Sequence, residues 1–386
     1  MKRFYREIRI YIILFATIVM LSACSKLIKG QGYLVTAPGG YSQVFRDLDA
    51  TAAADLSEQA FLKADKMASP ITIAQYFPAK NVVMAIYGND GFLRTWNIEE
   101  SKVLSEFDLG ITGDIYAGFG DNGNLIMGAM RSIVQENDYG ELAERVGGIG
   151  IWKSSSGDLL TCIVYPCERT APLEEWQRHL ISGAAFDPDG RWVISNYDTL
   201  ISITDITDHE IPYSISFSDT DVNHREIALA TIDSFNDRFA VAFIDGEILI
   251  QSLGKKNLSF LSPKIRLGGG QTNSRHKVLA LVFSADGQWL AGLQDDVLSV
   301  WKLATRSGDL QFESSINDGK LLAFDRSSEL LFVARNDKID IWNIRKKQLI
   351  REIKATEISS LSVSSDNRLL IWGDELGEIH ILGVRK

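Results

Sequence analysis

The chain is short of positive charge. Its 386 residues include 40 lysines and arginines against 50 aspartates and glutamates, a formal net charge of −10. A nucleic-acid partner would require a basic face, so this balance argues against that class and against broad contact with anionic lipid headgroups. Catalytic signatures are also missing. There is no GxSxG turn, no phosphate-cradling glycine loop and no HExxH pair. Gly268-Gly269-Gly270 opens no helix, and paired acids such as Asp187 with Asp189, or Asp295 with Asp296, sit where turn chemistry already accounts for them. Histidines number five and cysteines three, with no two histidines at i and i+4 and no cysteine pair joined by a histidine at zinc spacing. No catalytic residue, metal or cofactor is therefore assigned.

Long apolar runs are absent as well. The one apolar stretch near the start, Ile10–Leu21, follows Lys2, Arg3, Arg6 and Arg9 and falls short of the ~20 residues that span a bilayer. It reads as the core of a targeting segment covering residues 1–23. Leu21-Ser22-Ala23-Cys24 resembles a bacterial lipoprotein lipobox, which implies cleavage before Cys24 and acyl chains on its thiol. Membrane attachment is then expected through those chains alone. Ser25 after the cysteine resembles an outer-membrane sorting signal with the protein facing the periplasm; in a host with one membrane the same signal means the cell surface. Removing residues 1–23 takes away four basic residues and Glu7, which leaves a net charge of about −13. Two cysteines then remain, Cys162 and Cys167. They are too far apart for a bridge in one continuous strand, but Tyr165-Pro166 supplies a turn, and a disulfide is the expectation.

What the chain does have is repetition. Leu281–Leu303 holds three short strand-like runs separated by Ser284-Ala285-Asp286-Gly287 and Gln294-Asp295-Asp296, and it ends on an alternating run through Trp301. Counterparts of Trp301 stand at Trp96, Trp152, Thr204, Gln251, Trp342 and Leu382. Phe283, before the first turn, recurs as Phe77, Phe119, Phe186, Ile232, Phe324 and Val363. The two marks are 18 or 19 residues apart in six copies and 33 apart in the second, and successive copies start 39 to 67 residues apart. A three-stranded meander cannot bury its own faces, so such copies must pack on one another.

In this repeat, in Trp96-Asn97-Ile98, Trp301-Lys302-Leu303 and Trp342-Asn343-Ile344, and in the Asp-Pro-Asp-Gly turn at 187–190, the chain resembles the WD-repeat β-propeller family across residues 57–386. No Trp-Asp dipeptide and no repeat-opening Gly-His occurs. The resemblance implies an all-β, seven-bladed propeller of four-stranded antiparallel blades, approximately 70–110, 111–170, 180–218, 225–266, 276–314, 319–354 and 357–386. The last copy has three strands. Gln59–Lys63 is expected to supply the fourth and close the ring, although the alanine spacing over Thr51–Met67 also suits a helix. Eight blades, with 33–65 supplying most of the eighth, is the alternative. Residues 24–56 read as a tether, with a possible hairpin of Gly32–Thr36 and Gln43–Phe45. His179, His224 and His276 lie seven or eight residues before repeat marks. The resemblance implies that they bond a turn aspartate such as Asp198, Asp296 or Asp337; His209 and His380 fit no pattern.

The second copy departs from the repeat. It carries Ser132–Gly147 between its second and third strands and Tyr165–Arg178 after its outer strand, loop types that open on one face in this family. The resulting ridge is acidic and aromatic, and Tyr139, Glu141, Glu144, Glu174, Glu175 and Trp176 are the candidate partner-binding residues. The function expected is a lipid-anchored envelope scaffold, a monomeric propeller docking other envelope proteins and not an enzyme. The alternatives are a small-molecule or glycan-binding propeller and, last, a propeller hydrolase or lactonase.

Overall fold

A computed structural model describes residues 41–63, 69–88, 91–109, 117–133, 144–163, 183–197, 200–207, 213–216, 227–253, 261–266, 278–304 and 307–386. Their strands form seven four-stranded antiparallel sheets. Blade 1 runs from Ile71–Phe77 to Lys102–Asp108, blade 2 from Ala117–Gly120 to Leu159–Ile163, and blade 3 from Gly183–Phe186 to Tyr213–Ser216. Blade 4 runs from Ile227–Asp233 to Leu261–Arg266, blade 5 from Val278–Phe283 to Ser307–Ser315, and blade 6 from Leu321–Phe324 to Gln348–Lys354. Blade 7 combines Ile358–Val363, Leu370–Asp374 and Glu378–Gly383 with the N-terminal strand Ser57–Lys63. The first strands of neighbouring blades touch all the way round, so they line the axis. The structure is a seven-bladed propeller closed by an N-terminal strand, and the eight-blade alternative is set aside.

The repeat tryptophans mark a break in the ladder. Pairing between third and outer strands shifts register immediately before Trp96, Trp152, Trp301 and Trp342. Such a bulge adds twist and turns the indole toward the preceding blade. Trp152 packs with Phe77, Met84 and Leu93 of blade 1, and Trp301 with Ala240 and Ile248 of blade 4. Trp342 stacks on Phe312 of blade 5 at 5.7 Å.

In blades 3 to 7 the turns between first and second strands share one chemistry. After the repeat Phe, Ile or Val comes Asp187, Asp233, Ser284, Asp325 or Ser364, whose side chain accepts backbone N–H groups of its own turn. Asp325 is wholly buried and accepts from Ser327 at 3.2 Å and from Glu329 and Leu330 at 2.8 Å each; Ser364 accepts from Leu369 at 2.9 Å. Burial nonetheless pushes the Asp325 carboxyl above its ordinary pKa. Asp325→Ala would orphan buried donors and is expected to cost about 2 kcal/mol, read as a lower urea midpoint. Gly190 and Gly287 sit at φ 81° and 63° in these turns, and a Cβ on Gly287 would lie 2.0 Å from Asn236 of the preceding blade. At Gly287 glycine thus meets both a left-handed backbone and a close approach.

These turns also bond to one another. Lys80 donates to the Gly123 carbonyl at 2.6 Å, Asp121 N–H to Pro188 at 3.1 Å, and Ser234 to Asp187. Arg238 donates to Gly287, Asp286 N–H to Ser328 Oγ at 3.2 Å, and Arg326 N–H to Asn367 Oδ1 at 2.8 Å. The belt returns to blade 1 through the N-terminal segment. Asn367 donates to Leu48 O at 2.9 Å, and Asn81 Oδ1 accepts from Tyr41 N–H at 2.7 Å.

That segment differs from a plain tether. Tyr41–Val44 is a 3₁₀ turn rather than a hairpin strand, Phe45 bridges Arg385, and Ala52–Asp55 is a short helix preceding the strand. Tyr41 and Phe45 join the core between blades 7 and 1, while Leu48, Ala52, Ala53 and Leu56 join that between blades 6 and 7. Gly32–Thr36 lies outside the described residues.

Candidate interaction surfaces

Antiparallel meanders put first-to-second-strand turns at one end of the propeller and second-to-third-strand turns at the other. Blade 2 is exceptional at the second end. Its second and third strands, Leu125–Ile133 and Glu144–Lys153, have nine and ten residues, whereas the second strands of other blades have five or six. Pairing continues through Arg131 with Val146, Ser132 with Arg145 and Ile133 with Glu144. At about 3.3 Å per residue the extra length carries this hairpin about 10 Å further. The ends of the predicted insertion Ser132–Gly147 are thus strand, with Glu144 at the last described pair. Tyr139 and Glu141 lie outside the described residues, as do Glu174, Glu175 and Trp176. Cys24, Cys167, Asp198, His179, His209, His224 and His276 also lie outside. Cys162 is on the outer strand of blade 2, its backbone opposite Gly150.

The opposite end holds an axial cavity of ≈ 550 Å³. Ile232, Phe283, Leu322 and Leu361 from four first strands give it apolar walls, and Asp189 and Arg326 are exposed turn residues on its lining. Phe235, also on the lining, is 73% exposed, the most exposed large apolar side chain among the described residues. No histidine or cysteine is among the described lining residues. Volume and composition suit an apolar group held by a few polar contacts.

A third cluster sits on blade 7 and escaped sequence reasoning. His380 pairs across the sheet with Trp372 on one side and Phe61 of the N-terminal strand on the other. The imidazole stacks on Trp372 at 4.6 Å and 9° and meets Phe61 at 5.1 Å. Its Nδ1 lies 2.8 Å from Glu58, and Nε2 is 3.6 Å from Asp374 Oδ2. Asp374 Oδ1 accepts from Leu376 N–H at 2.9 Å and Glu378 N–H at 2.8 Å, and Glu378 pairs with Lys63. Burial opposes charge on the His380 ring, but the Asp374 and Glu58 carboxylates outweigh it and hold the pKa above the ordinary value. No sequence signal marks the group: Glu58 and His380 are 322 residues apart.

Residues 269–302 match the family model described as WD domain, G-beta repeat. That span contains the first two strands of blade 5 and the third as far as Lys302, with Trp301 near its end. The chain is a seven-bladed β-propeller whose fifth blade matches the WD repeat. Among solved structures, the chain is similar in fold to the β-propeller domain of Cps50 (Swd1) from Myceliophteria thermophila. The two are 14% identical with a TM-score of 0.63, covering 85% of this chain and 99% of that one. Comparison with curated proteins finds no match. A WD-repeat match points in general to a scaffold for protein–protein interaction.

Proposed function

We propose that the chain is a lipid-anchored scaffold of the cell envelope that docks other envelope proteins through blade 2. The observation that carries this reading is the opposition of two features. The N-terminal segment binds the turn belt through Asn81 and Asn367 at one end of the propeller, and the lengthened blade-2 hairpin extends from the other. A tether from Cys24 to Tyr41 reaches at most about 60 Å when fully extended. An anchor leaving from the belt end turns the hairpin away from the bilayer, toward proteins in the adjoining space. Tyr139 and Trp176 supply apolar anchors, and Glu141, Glu144, Glu174 and Glu175 supply a negative rim.

Cys24→Ala tests the anchor. The variant is expected to remain an uncleaved precursor without acyl chains, read by mass spectrometry and by labelling with a fatty-acid analogue. Unchanged maturation and labelling would remove the lipoprotein part of the proposal. Co-purification of the lipidated protein from its own membrane tests the docking part. One or more envelope proteins are expected in stoichiometric amount, and recovery of the propeller alone after mild cross-linking would count against it.

A further inference from the structure

We infer that Asp374, Glu378 and His380 form a binding site for a divalent cation of the zinc class. One ligand atom from each of the three lies within 4.8 Å of the others. A mixed carboxylate and imidazole set suits zinc and its neighbours, whereas calcium and magnesium take oxygen ligands. The arrangement of the ring is the independent observation. A carboxylate only accepts, so the 2.8 Å contact with Glu58 puts the proton on Nδ1 and turns Nε2 toward Asp374. At 3.6 Å that second contact is longer than a hydrogen bond. A histidine held by a carboxylate on one nitrogen, with the other directed at further ligands, is the usual arrangement around a protein-bound metal. Trp372 and Phe61 fix the plane of the ring from both sides.

Asp374 is ready in the same way. Its side chain is 7% exposed, and the two backbone N–H groups hold Oδ1 while Oδ2 faces His380. Glu378 is occupied by Lys63, whose side chain is 47% exposed and can release it into water. Glu58, Asp374 and Glu378 place three carboxylates around Lys63 and His380, and a divalent cation can take the place of a proton on the ring. Bound there, the ion joins the second and third strands of blade 7 and, through Glu58, steadies the N-terminal strand that closes the ring. The site is separate from the blade-2 docking surface and does not depend on it.

The test is titration of the full chain in detergent with Zn²⁺, followed by calorimetry, and with Co²⁺, followed by its visible d–d absorption. One equivalent should bind with a rise in Tm, and His380→Ala should abolish the Co²⁺ band. Glu378→Gln, which leaves the aromatic stack untouched, should weaken binding at least tenfold, and Glu58→Gln should weaken it by about 10–100-fold. Lys63→Met removes the competing cation and should tighten binding. Equal binding by the wild type and the folded Glu378→Gln variant would overturn the assignment, as would no bound ion in the wild type or weaker binding by Lys63→Met.

Discussion

A chain lacking residues 41–63 is expected to lose cooperative unfolding, or to aggregate through Glu378–Gly383. Removal of the N-terminal strand strips the third strand of blade 7 of its ladder partner and leaves an open hydrogen-bonding edge. The loss in the core is larger than one strand suggests. Tyr41, Phe45, Leu48, Leu56 and Leu62 are each at most 1% exposed, in clusters shared with blades 6, 7 and 1. At about 2 kcal/mol for each large apolar side chain, their burial contributes roughly 10 kcal/mol, comparable with the whole stability of many domains. The turn belt opens at the same place, because Asn367 and Asn81 lose Leu48 and Tyr41. Urea unfolding followed by tryptophan fluorescence reads the outcome. A truncated protein with the midpoint and slope of the parent would mean that the blade interfaces hold the ring without this segment.

The parts of the fold that were legible are those fixed by local chemistry. Phe283 with Ser284-Ala285-Asp286-Gly287, or Phe324 with Asp325, announces a strand and the turn that ends it, because the turn's own side chain satisfies its backbone. The repeat tryptophans were legible because each occupies a bulge of fixed position. Parts that depend on distant partners were not. The alanines of 52–54 suit a helix and do form one, yet the following residues become a strand because Glu378–Gly383 offers an unpaired edge more than 300 residues away. Tyr41–Leu56 carries no repeat mark, so it reads as spacer, although it is wedged between blades. His380 looked idle for the same reason: Trp372, Phe61 and Glu58 give it meaning only once the ring is closed. In blade 2 the lengthened spacing was visible, but not that its ends continue the hairpin to Ile133 and Glu144.

Trp176→Ala is expected to weaken partner capture by about thirtyfold while leaving the propeller folded. Buried aromatic anchors commonly cost about 2 kcal/mol on truncation, and that converts to this factor. Carboxylates at the rim of a contact act mainly on encounter, so Glu174→Lys with Glu175→Lys should slow association at low salt and lose its effect as salt rises. Both changes fall between the described outer strand of blade 2, Leu159–Ile163, and the first strand of blade 3, Gly183–Phe186, so neither alters a residue of a described strand. A rival explanation assigns Trp176 to packing over the second blade. The two differ in what moves. Packing predicts a lower melting temperature with undiminished capture by the folded fraction; docking predicts an unchanged melting temperature with capture lost through faster release. Surface-based capture of the co-purified partner, run beside thermal unfolding on the same preparation, separates them, and the first pattern would sink the docking ridge.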